Sequence, residues 1–151
     1  MDVNKTLRTA FDEILDKMAF LFFEDWEDEE PPPAHHEFDF STGITFKGAI
    51  TGTLQMLFTT GSAEELARNL LGIRPDDELF KGTMEDALLE FTNMVMGRTL
   101  TLLNPDKSFE MTVPFMAGEP PAPASGEESF QIDGMLEDEP CRVLLRYRVT
   151  G

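Results

Sequence analysis

Near the start of the chain apolar residues recur at three- and four-residue intervals: Leu7, Phe11, Ile14, Leu15, Met18, Leu21 and Phe22. That spacing predicts an amphipathic helix over 4–26 with one apolar stripe. The run EDWEDEEPPPAHHE ends it, because Pro31, Pro32 and Pro33 cannot continue a helix and the acids repel one another. From 37 to 60 the period changes. FDFSTGITF and TGTLQMLFT are rich in aromatic and β-branched residues and predict an antiparallel hairpin turning between Gly48 and Gly52. Ser62 reads as an N-cap with Glu65 completing a capping box, and Gly72 closes that second helix.

A longer helix is predicted from Thr83 or Met84 to Leu103, stopped by Asn104-Pro105. Phe109 to Phe115 reads as a strand, GEPPAPASGEES as a solvated loop unable to build a core, and Ser129–Leu136 and Cys141–Val149 as two strands joined across 137–140. The order is α-ββ-αα-βββ. This predicts an α+β domain spanning 1–151, a largely antiparallel sheet covered by two long helices.

The third helix carries the candidate chemistry. On a wheel at ~100° per residue, Asp86, Glu90, Asn93 and Gly97 fall within about 60° of one another. Leu88, Phe91, Val95 and Leu102 gather on the opposite, core-facing side, while Ala87, Leu89, Met94, Met96 and Leu100 form apolar flanks. A polar stripe is usually just the wet edge of an amphipathic helix. This one instead offers two acids, an amide and a glycine, with none of the lysines of an ordinary wet face, and its rim is greasy, as a docking surface would be. Gly97 costs about 1 kcal/mol of helix propensity relative to Ala, which close approach of another backbone would justify.

Charge removes alternatives. With 29 acidic and 12 basic residues the net charge is −17, which excludes a basic groove for nucleic acid and disfavours anionic membranes. No basic leader precedes an apolar run, and the lone Cys141 fits a reducing compartment, so the expected location is the cytoplasm. His35-His36-Glu37 with Asp39 lacks the helical spacing of a metal site, and no metal is expected. Cys141 reads as a packed strand residue, and Arg142, Arg146 and Arg148 as an exposed strand face.

Asp86-x3-Glu90-x2-Asn93 followed by Met94-Val95-Met96-Gly97 resembles the active-site helix of the CheC/CheX/FliY family of chemotaxis phosphatases. The family pattern continues with a proline after twenty-two residues, whereas Pro114 here follows after twenty. Helix one contains Asp12-x3-Asp16-x2-Ala19-x3-Phe23, which overlays on the motif but lacks the amide, so the chain is similar to the single-site, CheX-like members.

The resemblance implies a phosphatase acting on the aspartyl phosphate of a CheY-like response regulator. Asn93 would position the attacking water and Glu90 would pair with a lysine of the regulator. Asp86, Leu89, Met94 and Gly97 would border the partner. No cofactor of its own is implied, the Mg2+ coming with the regulator, and a homodimer is a family expectation. A non-catalytic module that docks on a regulator is the alternative, and a structural subunit of a flagellar or signalling complex a more distant one.

Overall fold

Alternating apolar positions in four long strands make one antiparallel sheet, and three helices pack their apolar stripes onto one of its faces. The computed structural model describes residues 2–104 and 108–150, so Pro105, half of the predicted helix stop, lies outside the described residues. Helix α1 (Val3–Ile14) begins at Asp2, whose carboxylate accepts from the Lys5 amide at 3.1 Å. It is shorter than the predicted 4–26. The chain widens into a π-turn (Leu15–Ala19), breaks at Phe20 with a left-handed φ of 54°, and then runs as strand β1 (Phe23–Asp25). Over six residues such as Met18 to Phe23 a strand and a helix bury similar patterns, and no Gly or Pro marks the break. Met18 and Phe22, predicted in the core stripe, are exposed, whereas Leu7, Phe11 and Leu15 are buried as expected.

Strands β2 (Phe40–Lys47) and β3 (Ile50–Phe58) form the predicted hairpin. Gly52 lies inside β3 rather than in the turn: a Cβ there would run into the Arg146 carbonyl oxygen and come within 2.8 Å of Tyr147 Cα on the neighbouring strand. Helix α2 (Thr60–Leu71) follows β3 with no intervening loop. Its N-cap is therefore Thr59, not Ser62: Thr59 Oγ1 accepts from the Ser62 amide (3.2 Å) and Ser62 Oγ accepts from the Thr59 amide (3.0 Å). Gly72, with φ 68°, ends α2 as predicted.

Helix α3 (Lys81–Leu103) starts slightly before its predicted boundary. The predicted strand 109–115 is two short pieces, β4 (Glu110–Met111) and β5 (Phe115–Met116), both paired to β2. Pro114, which has no N–H to give the ladder, lies between them. Strands β6 (Glu128–Leu136) and β7 (Glu139–Val149) are joined by the two-residue turn Glu137-Asp138, both at positive φ, so Glu139 and Pro140 already belong to β7. The sheet order is β1-β6-β7-β3-β2-β4, with β5 also on β2 and every pair antiparallel.

Ile44, Leu54, Met56, Phe58, Val143 and Leu145 meet the helices across the inner face. Cys141 sits among them, fully buried, and burial pushes its thiol pKa far up. Phe11 packs edge-on to Phe91 (6.0 Å between centroids) and to Phe23 (5.1 Å). Thr92, a buried hydroxyl within α3, donates to the Leu88 carbonyl (2.8 Å) and so accepts from Thr42 Oγ1 of β2 (2.6 Å), locking helix to sheet.

The outer face corrects two expectations. Arg142 and Arg146 are buried there, and only Arg148 remains exposed. Arg142 donates from Nε to Asp133 Oδ1 (2.6 Å) and from Nη1 to His35 Nδ1 (3.0 Å), and its guanidinium lies over the Phe38 ring. The proline-bearing segment 26–39 thus folds back over the sheet, satisfying a cation that alternation alone places toward solvent. The 117–127 loop also packs: Pro120 is buried, and Gln55 Nε2 donates to the Gly118 carbonyl (3.2 Å).

Two measurements check this packing. Gly52→Ala forces β3 away from β7 and is expected to lower the unfolding free energy by roughly 2–4 kcal/mol in urea denaturation. Burial and the neighbouring Arg142 guanidinium hold His35 below its ordinary pKa, and its Nδ1 accepts a hydrogen bond only when unprotonated. Its contribution is therefore complete above the unfolded value of about 6.5 and is lost as pH falls through the lower folded value. The urea midpoint should fall less between pH 7 and pH 5 in His35→Gln than in the wild type.

Candidate functional site on helix α3

Burial of α3 leaves a narrow strip of it uncovered. Met84, Ala87, Leu88, Phe91, Thr92, Val95, Met96, Thr99, Leu100 and Leu103 are buried. This core face is wider than predicted, since Ala87, Met96 and Leu100 were expected on the flanks. Leu102, expected in the core, is 38% exposed at the helix end. The apolar rim is thus Leu89 and Met94, both half-buried.

On the opposite side Asp86 and Glu90 are exposed, and Asn93 and Gly97 are half-exposed. The polar stripe therefore points outward. At three residues' separation the Glu90 and Asn93 Cβ atoms lie ~5–6 Å apart on one helix face. Among the described residues neither side chain is held by an ion pair or hydrogen bond, so both remain available. Arg98, one turn on, differs: it pairs with Glu13 of α1 at 3.2 Å, and Glu13 also takes Lys17 at 2.9 Å. Those two hydrogen bonds, from Lys17 first and then Arg98, hold the Glu13 carboxyl below its usual range.

Gly97 has no internal reason to lack a side chain. A Cβ there would find only Met111 Cε, at 3.8 Å, so the close approach that would justify the glycine is not made within the described chain. Beside the pair lies a cleft of about 350 Å³ to which Asp86, Glu90 and Met94 contribute together with Met18 and Leu71. Periodicity places Met18 in the apolar stripe of helix one, and no motif singles out Leu71. A larger groove, about 580 Å³, runs along β2, β3 and β4 and shares no residue with the pair.

The overlay of helix one on the motif does not hold in three dimensions. Asp12 is bound to Arg8 (3.0 Å), Ala19 is fully buried in the π-turn, and Phe23 has left the helix for β1. Pro114 stands half-buried at the edge of the sheet.

A family model described as chemotaxis phosphatase CheX matches residues 40–133. The chain belongs to this family. The match runs from β2 into β6 and includes all of α3, hence the whole Asp86–Gly97 stripe. The fold is that of solved CheX structures. CheX from Vibrio vulnificus aligns over 98% of this chain and 97% of its own, with a TM-score of 0.75 and 22% identity. The CheX of a CheX–CheY–BeF3–Mg2+ complex from Borrelia burgdorferi aligns over 97% and 98%, with a TM-score of 0.74 and 19% identity. Thermotoga maritima FliY is more distant, with a TM-score of 0.61 and 10% identity over 98% of this chain and 88% of its own. No curated protein matches the chain. Among the described residues no helix is long and apolar enough to cross a membrane.

Because Glu90 and Asn93 lie outside the core and make no hydrogen bond or ion pair among the described residues, Glu90→Ala and Asn93→Ala should each leave the thermal midpoint within about 2 °C of wild type by circular dichroism. Leu88→Ala, on the buried side of the same helix, should lower it by roughly 6 °C or more.

Proposed function

We propose that this protein hydrolyses the aspartyl phosphate of a CheY-like response regulator. One observation carries the reading: Glu90 and Asn93 share an uncovered face of α3, and nothing else in the described chain engages them. Membership of the CheX phosphatase family supports the reaction class. The Borrelia burgdorferi complex, which holds CheX together with CheY, supports the choice of partner.

Hydrolysis needs water to attack phosphorus in line with the departing carboxylate, a task of positioning more than of strong base. A carboxamide suits it. Asn93 Oδ1 accepts a hydrogen bond from the water while Nδ2 donates to a phosphoryl oxygen, fixing the water's direction. The phosphorus–carboxylate bond breaks, and the regulator recovers its free aspartate as inorganic phosphate leaves. Glu90 pairs with a lysine beside the phosphorylation site and so sets the orientation of the two proteins. Asp86, one turn earlier, adds negative charge at the partner's edge. Leu89, Met94 and the flat surface at Gly97 border the contact. Among the described residues no group of three metal-ligating side chains occurs, and the cation in this reading is the regulator's. When bound, Mg2+ neutralises charge on the phosphoryl oxygens.

The second reading, a CheX-like module that binds a regulator without hydrolysing it, is favoured by Pro114, which stands two residues short of the family spacing. Phosphate release from the phosphorylated regulator, with and without this protein, separates the two. Asn93→Ala is expected to slow stimulated release by roughly 100-fold or more while affinity stays within about threefold. Glu90→Ala should reduce both affinity and rate. Full activity in Asn93→Ala ends the catalytic assignment, and unaltered affinity in Glu90→Ala ends the ion pair.

A further inference from the structure

The cleft beside Glu90 is built by three separate elements. Met18 comes from the π-turn, Leu70 and Leu71 from the end of α2, and Ala87 and Met94 from α3, with Asp86 and Glu90 forming an acidic lip. Met18 and Leu71 are 44% and 46% exposed, so the walls present apolar surface to water. They are also held in place. Asn69 Nδ2 of α2 donates to the Ala19 carbonyl at 3.0 Å, which ties the end of the π-turn to the end of α2.

The π-turn is itself unusual. Such turns are rare and concentrate at functional sites, and this one exits through Phe20, a bulky residue at φ 54° whose side chain is 77% exposed. Backbone strain that leaves a phenylalanine in solvent does not serve the core.

We infer that this cleft receives an apolar side chain of the regulator, presented beside a basic residue that meets Glu90 or Asp86. The inference rests on the phosphatase reading and identifies what holds the partner at that site. Two observations select the occupant. Glu90 belongs both to the cleft and to the candidate catalytic pair, so a protein that brings its phosphoryl group to Asn93 covers the cleft as well. The lip is acidic on a chain of net charge −17, so a second copy of this chain, or an anionic membrane, meets like charge there. A cationic segment with an apolar side chain meets its complement. The docking surface thus extends from α3 to the end of α2 and the π-turn, with affinity set mainly in the cleft and the chemistry set at Asn93.

The test is calorimetric titration of a CheY-like regulator from the same genome, loaded with beryllofluoride and Mg2+, against wild type, Met18→Glu and Leu71→Glu. Val149→Glu serves as a control, changing a still more accessible apolar residue (74% exposed) at the far end of β7. The cleft variants are expected to bind at least tenfold more weakly and the control as tightly as wild type. In turnover assays the cleft variants should raise KM and keep kcat within about twofold. Unchanged affinity in both cleft variants overturns the cleft and leaves the phosphatase reading standing. An equal loss in all three variants also overturns it, since added charge alone would then be responsible. Wild-type binding that depends on the cleft but releases no phosphate supports the cleft and overturns the phosphatase reading. A wild type that binds no regulator overturns both.

Discussion

Phe91 must be buried for anything on the other side of its helix to have a fixed place. It is fully buried, edge-on to Phe11, while one residue further the Thr92 hydroxyl grips β2 through Thr42. Together these contacts set both the depth and the rotation of α3 against the sheet. Ten residues of α3 form its core face, and the stripe from Asp86 to Gly97 lies opposite it. The orientation of Glu90 and Asn93 is therefore a by-product of packing that neither residue contributes to. A helix so constrained can present a carboxylate and an amide at constant spacing without any local network of support.

The opposite face of the sheet solves a different problem. Arg142 occupies an outward position on a central strand, where a bare guanidinium beneath covering chain would be costly. Asp133 beside it, the Pro33 carbonyl and the His35 ring above it provide its hydrogen bonds. The proline-bearing segment thus acts as a lid for a cation, and the acids that flank it stay in water. The net charge of −17 is carried by the surface, while Arg142 is held beneath the covering chain.

Much of this architecture was legible in the chain. The hairpins, the second and third helices and the Gly72 terminus follow from periodicity and turn chemistry. The outward stripe on α3 follows from a wheel alone, because one element decides it. The family was recognisable from a dozen residues of that helix. Failures came where distant contacts outweigh local preference. Helix one was read through Phe20 because nothing local forbids it; the break appears only once Phe23 pairs with Leu136 on β6. Arg142 read as exposed because alternation cannot reveal a loop returning from a hundred residues away. Leu102 failed for another reason, since the core ends before the helix does. Met18 and Leu71 were invisible as cleft residues for the same cause that hid the break.

Cys141 lies in the middle of these contacts, with no path to solvent and a thiol that burial keeps protonated. As the chain's one sulfhydryl it is a built-in clock for opening. Any disulfide reagent added to the native protein must wait until β7 parts from its neighbours, so the labelling rate reports that opening alone, free of any contribution from fraying loops.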